Sequence, residues 1–104
     1  MTIEELIVAV ERWAADRGIL DHSSPQAQLL KTVSELGELS DATLKDHMGD
    51  VTDGIGDVLV TLIIYARLQG VGIGYCLESA YQTIKDRRGR LTPEGVFVKE
   101  GAST

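Results

Sequence analysis

The chain has little of the chemistry that crosslinks secreted domains or binds nucleic-acid polymers. Its 104 residues include one cysteine, Cys76, so neither an internal disulfide nor a zinc site with several thiolates can form. Ten basic residues face sixteen acidic ones, and the net charge of −6 argues against a nucleic-acid polymer as partner. A nucleotide substrate is still compatible with this charge, because bound cations reverse the local sign. We therefore expect a protein of a reducing compartment, the cytoplasm.

No hydrophobic run is long enough to cross a bilayer. The longest, residues 58–66, is far shorter than the ~20 residues that a transmembrane helix needs. Glu4 and Glu5 in the first turn are unlike the basic start of a signal peptide. An apolar fraction of 43% and a charged fraction of 25% are ordinary for a globular protein. The length predicts one domain, residues 1–104, with no membrane partner.

Helical periodicity and turn signals predict an all-α bundle of four helices. Thr2 and Glu5 form a capping-box pattern at the start of the first helix, which Gly18 closes. Ser24 and Pro25 are typical of the start of the second helix, after a loop at residues 21–25. The other predicted boundaries are about residue 46 for the end of the second helix, 50–69 for the third helix and 75–88 for the fourth. Residues 90–98 predict a short C-terminal β-hairpin or extended tail, with a turn at residues 92–95.

The spacing of apolar residues predicts which faces of the helices are buried. The predicted inward positions are Ile3, Leu6, Ile7, Val10, Trp13 and Ala14 in the first helix, Leu29, Leu30, Val33, Leu36, Gly37, Ser40 and Leu44 in the second, and Leu77, Ala80, Tyr81 and Ile84 in the fourth. The third helix is apolar on nearly every side, which is too much for a small monomeric bundle. We therefore expect an obligate dimer in which Val60, Ile64 and Leu68 meet a second subunit.

The second predicted helix carries two acids three residues apart, Glu35 and Glu38. They project from neighbouring positions on one face, together with Lys31 and opposite the predicted inward stripe. The pair marks either a ligand-binding face or a solvated face with a Lys-Glu pair. Spacing alone leaves both interpretations open.

The third predicted helix carries a polar line of Asp50, Asp53, Asp57 and Thr61, at spacings of three and four residues. Asp50 can cap the helix and Asp53 can interact with the helix dipole, which are ordinary structural roles. Asp57 lies deeper in an apolar helix, where a carboxylate needs a partner. A divalent cation can serve several carboxylates at once, so the two acidic helices predict a metal site.

Oxygen ligands favour Mg²⁺, with Mn²⁺ as an alternative, over zinc. Neither His22 nor His47 has a second histidine at ligand spacing, and neither receives a role. The basic run at residues 85–90 ends the fourth predicted helix. It can either compensate the helix dipole or bind phosphate.

The combination of Glu35-Leu-Gly-Glu38, Asp53-Gly-Ile-Gly-Asp57 and Lys85-x-x-Arg88 resembles the MazG-like family of all-α nucleotide pyrophosphohydrolases. The resemblance covers nearly the whole chain from Trp13 onward. It is strongest to short, phage-type members, whose ends resemble residues 85–100. It implies a homodimer or dimer of dimers, dependence on Mg²⁺, and hydrolysis of a nucleoside triphosphate to the monophosphate and pyrophosphate. The substrates would be non-standard or surplus nucleotides.

Two positions depart from the EExxE and ExxD pattern of that family. Ser34 and Gly54 stand where acids are usual, and Asp53 can replace the missing carboxylate because it shares a face with Asp57. The implied metal ligands are Glu35, Glu38, Asp53 and Asp57. The implied catalytic residues are Glu38, which would orient the attacking water, and Lys31, Lys85 and Arg88, which would offset phosphate charge.

Two other functions fit the same residues. One is a non-catalytic helical dimer that binds a nucleotide or a protein through the acidic groove, which the departures at Ser34 and Gly54 keep open. The other is hydrolysis of a related pyrophosphate, such as a nucleoside diphosphate or an alarmone. The base that would be preferred cannot be read from the sequence.

Overall fold

The computed structural model describes residues 1–101 and is mostly helical, as predicted. It contains α1 (Ile3–Asp16), α2 (Ile19–His22), α3 (Pro25–Leu44), α4 (Met48–Leu68), α5 (Ile73–Ile84), β1 (Gly89–Leu91) and β2 (Phe97–Lys99). The chain divides into two compact units, Met1–Gly74 and the part that begins at Tyr75. In the first unit α3 packs along α4, and α1 and α2 also contact α4.

The N-terminal caps predicted at Thr2 and Ser24 are present. The Thr2 hydroxyl accepts from the backbone N–H of Glu5 at 3.1 Å, and the Glu5 carboxylate accepts from the N–H of Thr2 at 2.9 Å. The Ser24 hydroxyl accepts from the N–H of Ala27 at 3.1 Å, with Pro25 at the first helical position. Each cap pairs a backbone donor that the helix itself leaves free.

The loop predicted at residues 21–25 is partly helical, which corrects the count of four helices. Gly18 has φ +77°, a left-handed conformation that glycine adopts without strain. The chain therefore turns immediately after α1 and forms the single turn α2, in which the N–H of His22 donates to the Gly18 carbonyl at 3.0 Å. Asp21 and His22 belong to this turn.

α4 starts two residues before the predicted boundary, and the prediction that Asp50 caps it is wrong. His47 occupies the cap position, and its N–H donates back to the Ala42 carbonyl of α3 at 3.1 Å. Asp46 between the two helices has φ +57°. This tight connection ends α3 and begins α4 within three residues, which leaves Asp50 in the first turn.

The predicted inward stripe of α3 is wrong. Its five large apolar side chains, which we call the α3 apolar stripe, are Leu29, Leu30, Val33, Leu36 and Leu44. All five are exposed, with 71% of Leu30 and 59% of Val33 accessible. Gly37 and Ser40 are exposed as well. The face that meets α4 instead carries Thr32, Glu35 and Ala42, which are buried. Short side chains let the two helix backbones approach closely, and hydrophobicity alone does not record that preference.

Gly54 lies where the two helices approach closely. A Cβ atom at Gly54 would lie 3.0 Å from Leu39 Cδ1 and 3.3 Å from Leu39 Cβ. At Gly56 a Cβ atom would meet nothing within 4 Å of the described chain. Close packing therefore accounts for a glycine at position 54 but not at position 56. The α3–α4 seam consists of Thr32, Glu35, Leu39 and Ala42 on α3 with Gly54 and Thr61 on α4.

The core lies mainly in the second half of α4. Ile63, Ile64 and Ala66 are buried there, together with Ala14 of α1. The prediction that Ile64 meets a second subunit is wrong, because it is only 3% exposed within one chain. Val60 and Leu68 are half-buried. The large exposed apolar residues of α4 are Met48, Ile55 and Leu59.

α1 buries less than its periodicity predicts. Ile7 and Val10 are half-buried, whereas Ile3, Leu6 and Trp13 are exposed. The Arg17 guanidinium lies 5.5 Å from the centre of the Trp13 ring, a cation–π contact. Trp13 is therefore a partly accessible ring on the surface of the first unit.

The second unit contains most of α5 and the hairpin. α5 ends at Ile84, so the basic run at residues 85–90 follows the helix instead of forming its last turn. The four predicted inward positions of α5 are exposed, and the helix buries no residue. The predicted hairpin is confirmed: β1 pairs antiparallel with β2, with Arg90 opposite Val98. Gly95 has φ +86° in its turn, and the Thr92 N–H donates to the Val96 carbonyl at 2.7 Å.

Within residues 1–101, no single helix combines the length and the apolar composition that crossing a bilayer requires.

Candidate functional site

Glu35 is a carboxylate buried at the helix interface. It is 8% exposed and belongs to the α3–α4 seam, one turn after Thr32 and one turn before Leu39. Lys31 on its own helix supplies the nearest charge, with Nζ at 3.4 Å from Glu35 Oε1, and 60% of the lysine side chain is exposed. The interpretation of Glu35 as part of a solvated face is therefore wrong. Because the Lys31 ammonium is largely in solvent, it only partly compensates a negative charge that is buried at Glu35.

Glu38 lies one turn later on the exposed part of the same face. A hydrogen bond with Glu35 raises the pKa of Glu38, and the negative charge of Glu35 adds to this effect. Slight desolvation and the charge of Asp57 raise this pKa further, while Lys31 opposes them. The physical cause is that a second negative charge beside Glu35 is costly, so the protonated form of Glu38 is favoured.

A groove of about 540 Å³ opens beside this pair, between the second half of α3 and the first half of α4. Seven of its nine lining residues are acidic, basic or histidine, and the full lining comprises Glu38, Asp41, Ala42, Lys45, His47, Asp50, Asp53, Gly54 and Asp57. Five of these side chains are acidic. His47 Nδ1 lies 3.5 Å from Asp50 Oδ2 at the mouth, where both side chains are exposed. We call this space the acidic groove.

The structure brings the predicted metal ligands to one region without gathering them around a point. Glu38, Asp53 and Asp57 line the acidic groove, and Glu35 lies behind Glu38 in the seam. In residues 1–101, no three His, Cys, Asp or Glu side chains converge as ligands of one metal ion. Asp57 acts on the pKa of Glu38, whereas Asp53 does not contribute to it. Asp57 is thus electrostatically the closer of the two.

The predicted cations fall in different parts of the molecule. Lys31 pairs with Glu35 at the seam. Lys85 and Arg88 lie in the second unit, after α5, and neither lines the acidic groove.

Sequence reasoning missed two residues of the groove. Asp41 and Lys45 follow Glu38 by one and two turns, a spacing that could have placed them on the same face. Asp50 was placed on the polar line of its helix but interpreted as a cap, and His47 received no role because no second histidine stands at ligand spacing. The burial of Glu35 had one available signal, the small residues Thr32 and Ala42 on its face.

Comparison with known proteins identifies one similar phage protein. No protein-family model matches the chain, and no solved structure matches it significantly. Over 65 residues the chain is 37% identical to an uncharacterized 18.2 kDa protein encoded in the rep-hol intergenic region of Haemophilus phage HP1. The match covers 62% of this chain and 40% of the phage protein, so the chain spans less than half the length of that relative.

Proposed function

We propose that the chain is a Mg²⁺-dependent nucleoside triphosphate pyrophosphohydrolase of the MazG-like type, which cleaves non-standard or surplus nucleotides to a monophosphate and pyrophosphate. The observation that carries the proposal is the buried Glu35 carboxylate beside Glu38 at the edge of the acidic groove. A helix pair that only needed to pack would gain stability from an apolar residue at position 35. A buried acid at this position is typical of a site that binds a cation.

The donor set suits a hard divalent cation. Glu35, Glu38 and Asp57 offer only carboxylate oxygens, which Mg²⁺ and Mn²⁺ prefer, and Asp53 can supply a fourth acid. The mutual repulsion expressed in the raised pKa of Glu38 is the repulsion that a bound cation would relieve. When bound, such a cation would neutralise phosphate charge and make a water more acidic.

The chain's own residues would orient the reactants. In the proposed reaction a water oxygen bonds to the α-phosphorus, the bond from that phosphorus to the β-phosphate oxygen breaks, and pyrophosphate leaves. Glu38 is accessible, and its pKa is raised by the neighbouring Glu35, which makes its carboxylate a stronger base that can accept a proton from that water. Lys31 is largely exposed beside Glu35 and can contact a phosphate oxygen. The resemblance assigns similar contacts to Lys85 and Arg88.

A second copy of the chain forms part of the proposal. The α3 apolar stripe is a row of exposed large apolar side chains along one helix, and exposed apolar surface of this kind is typical of interaction sites. The MazG-like resemblance implies a homodimer or a dimer of dimers, and the stripe offers the contact surface for it.

The test is a pyrophosphate-release screen over ribo- and deoxynucleoside triphosphates with Mg²⁺, with Mn²⁺ and with a chelator. We expect monophosphate and pyrophosphate from at least one substrate, and loss of turnover in Glu38→Gln. Asp41→Asn is the matched control, since Asp41 lines the same groove one turn further along α3. Equal activity of Glu38→Gln and wild type would refute the catalytic role of Glu38. Release of orthophosphate alone would show that a different bond is cut.

The alternative is a non-catalytic module that binds a nucleotide or a protein in the acidic groove. Two observations support this alternative. The carboxylates do not converge on one point in the described residues, and a side chain at Gly54, where the family usually has an acid, would require Leu39 to shift. Nucleotide binding without turnover on the full panel would support this alternative.

A further inference from the structure

We propose that the packing of α3 against α4 positions the carboxylates of Glu35 and Asp57 for one shared divalent cation. Two contacts across the α3–α4 seam, one on each side of this pair of acids, do the positioning. The inference rests on the proposed function for the kind of ligand, a divalent cation, but on no catalytic step.

The first contact is polar and the second is steric. The Thr32 and Thr61 hydroxyls are hydrogen-bonded at 2.9 Å, and these side chains are only 4% and 6% exposed. At the second contact Gly54 packs against Leu39, where an added Cβ atom would lie 3.3 Å from the Leu39 Cβ and 3.5 Å from its Cα. Both contacts join the helices through short groups, so they set the distance between the two backbones.

The two contacts are spaced identically along the two helices. Leu39 follows Thr32 by seven residues in α3, and Thr61 follows Gly54 by seven residues in α4. Seven residues are about two helical turns, which rise by about 10.5 Å. The earlier residue of each helix meets the later residue of the other, so α3 and α4 run antiparallel and stay in step over this distance.

The two acids occupy equivalent positions between these contacts. Glu35 comes three residues after the first contact residue of α3 and four before the second. Asp57 comes three residues after the first contact residue of α4 and four before the second. Residues at these spacings share one face of a helix, so both acids belong to the faces that the contacts bring together. In an antiparallel pair their heights differ by about one residue, or about 1.5 Å.

The seam fixes the backbones of the two acids and leaves one side chain free to adjust. Glu35 is buried, so its carboxylate has little room to move away. Asp57 is exposed and lines the acidic groove. The acids of the described residues do not surround one point, so a cation has to draw the Asp57 side chain toward Glu35. That adjustment costs little only when the backbones are already close and level, which is the advantage of a preorganised site.

Binding of Mn²⁺ to the full chain, followed by the electron paramagnetic resonance signal of the free ion, separates positioning from stability. We expect Gly54→Ala and Thr32→Val each to weaken binding by about tenfold or more, as changes around metal ligands do. The matched controls should bind as the wild type does. Gly56→Ala adds a Cβ atom that meets nothing within 4 Å, and Ile63→Val destabilises the core at a residue outside the seam.

A conservative variant and a stability measurement complete the test. Thr32→Ser keeps the hydroxyl group and should recover most of the Mn²⁺ affinity that Thr32→Val loses. Urea unfolding of each variant shows whether affinity merely follows stability. Unchanged affinity in both Gly54→Ala and Thr32→Val would refute the positioning role while leaving the metal site of the wild type in place. Equal weakening in Ile63→Val would also refute it.

The wild type separates this inference from the proposed function. A chain that binds no Mn²⁺ would overturn both, because the shared cation site would not exist. Binding of Mn²⁺ that weakens in the two seam variants, without turnover of any nucleotide, would support the positioning role and refute the hydrolase.

Discussion

The hydroxyl groups of Thr32 and Thr61 lie 2.9 Å apart across the α3–α4 seam, and both side chains are buried. Thr61 donates to the Val58 carbonyl at 2.9 Å, so it accepts from Thr32. The Thr32 hydroxyl also lies 3.0 Å from the Gln28 carbonyl. This link fixes the rotation of α3 against α4 one turn before Glu35, and therefore determines which face of α3 is buried.

Thr32→Val and Thr61→Val should each lower the free energy of unfolding by about 1 kcal/mol, because each removes a buried hydrogen bond. The double variant should cost less than the two single changes together, since it leaves no unpaired partner. Thr43→Val is the control, because its hydroxyl is exposed and bonds only to its own helix. Urea denaturation of the four proteins measures the coupling. Strict additivity would contradict a direct link.

The two glycines of α4 should respond in opposite ways to alanine. Gly56→Ala should stabilise the chain by about 1 kcal/mol, which is the helix propensity difference. Gly54→Ala should lose this gain to overpacking against Leu39, which costs about 1 to 3 kcal/mol. Thermal and urea unfolding of both variants test this. If Gly54→Ala is as stable as Gly56→Ala, the seam is looser than the structure indicates.

Glu38 should make the metal-free protein less stable as the pH rises. Its pKa is raised in the folded chain above the usual value of 4.5, mainly by the hydrogen bond and charge of Glu35, so the folded state binds more protons. Stability should therefore fall as the pH increases from about 4.5 through the raised folded pKa. Glu38→Gln should remove this decline when unfolding is measured in chelator across that range.

Glu5 is the control, because its effect on stability should change with pH in the opposite direction to that of Glu38. Its hydrogen bonds with Thr2 in the capping box lower its pKa, so the folded state gains stability from the Glu5 carboxylate above pH 4.5. This stability is lost as the pH falls through the lowered pKa. Glu5→Gln should therefore reduce stability near neutral pH. A variant Glu38→Gln with an unchanged pH profile would show that the carboxylate pair is not coupled.

Asp57 should matter more than Asp53 for metal binding, if the proposed function is correct. Asp57 contributes to the pKa of Glu38, whereas Asp53 lies nearer the helix start, where the dipole competes for its charge. Asp53→Asn should raise the Mg²⁺ requirement by about tenfold, as outer ligands do, and Asp57→Asn should raise it further. Magnesium titrations of activity test the order. An unchanged titration for Asp53→Asn would leave a site of three carboxylates.

The chain should be a dimer or larger, held partly by the α3 apolar stripe. Val33→Arg places a charge in the stripe and should dissociate the assembly, while Ser34→Arg, at the neighbouring exposed position, should leave it intact. Sedimentation velocity at micromolar concentration distinguishes the two. A wild-type monomer would require another explanation for so much exposed apolar surface.

The sequence was sufficient for elements with local signals. The caps at Thr2 and Ser24 and the hairpin turn at Gly95 involve residues close together in the chain, so their side chains and backbone freedom determine them directly. The start of α4 was predicted less well. It depends on the backbone hydrogen bond from the His47 N–H to the Ala42 carbonyl across the α3–α4 connection. No single residue type predicts such a bond.

The buried face of α3 could not be predicted from hydrophobicity. Hydrophobic periodicity assumes that the most apolar side faces the interior of the same chain, and Leu30 and Val33 violate that assumption. The acids of the site were found because their spacing is local. Which of them is buried depended on the packing partner, to which both the Thr32–Thr61 hydrogen bond and the approach of Leu39 to Gly54 contribute.

The uneven burial along α4 has a consequence for amide hydrogen exchange. The buried residues Ile63, Ile64 and Ala66 lie near the end of the helix, whereas in the stretch that borders the acidic groove only Gly54 is buried. Amides of the second half should exchange only by global unfolding, and those between Met48 and Asp57 by cheaper local opening. The acidic end of α4 can therefore fray and re-form around an incoming ligand while the rest of the helix stays folded.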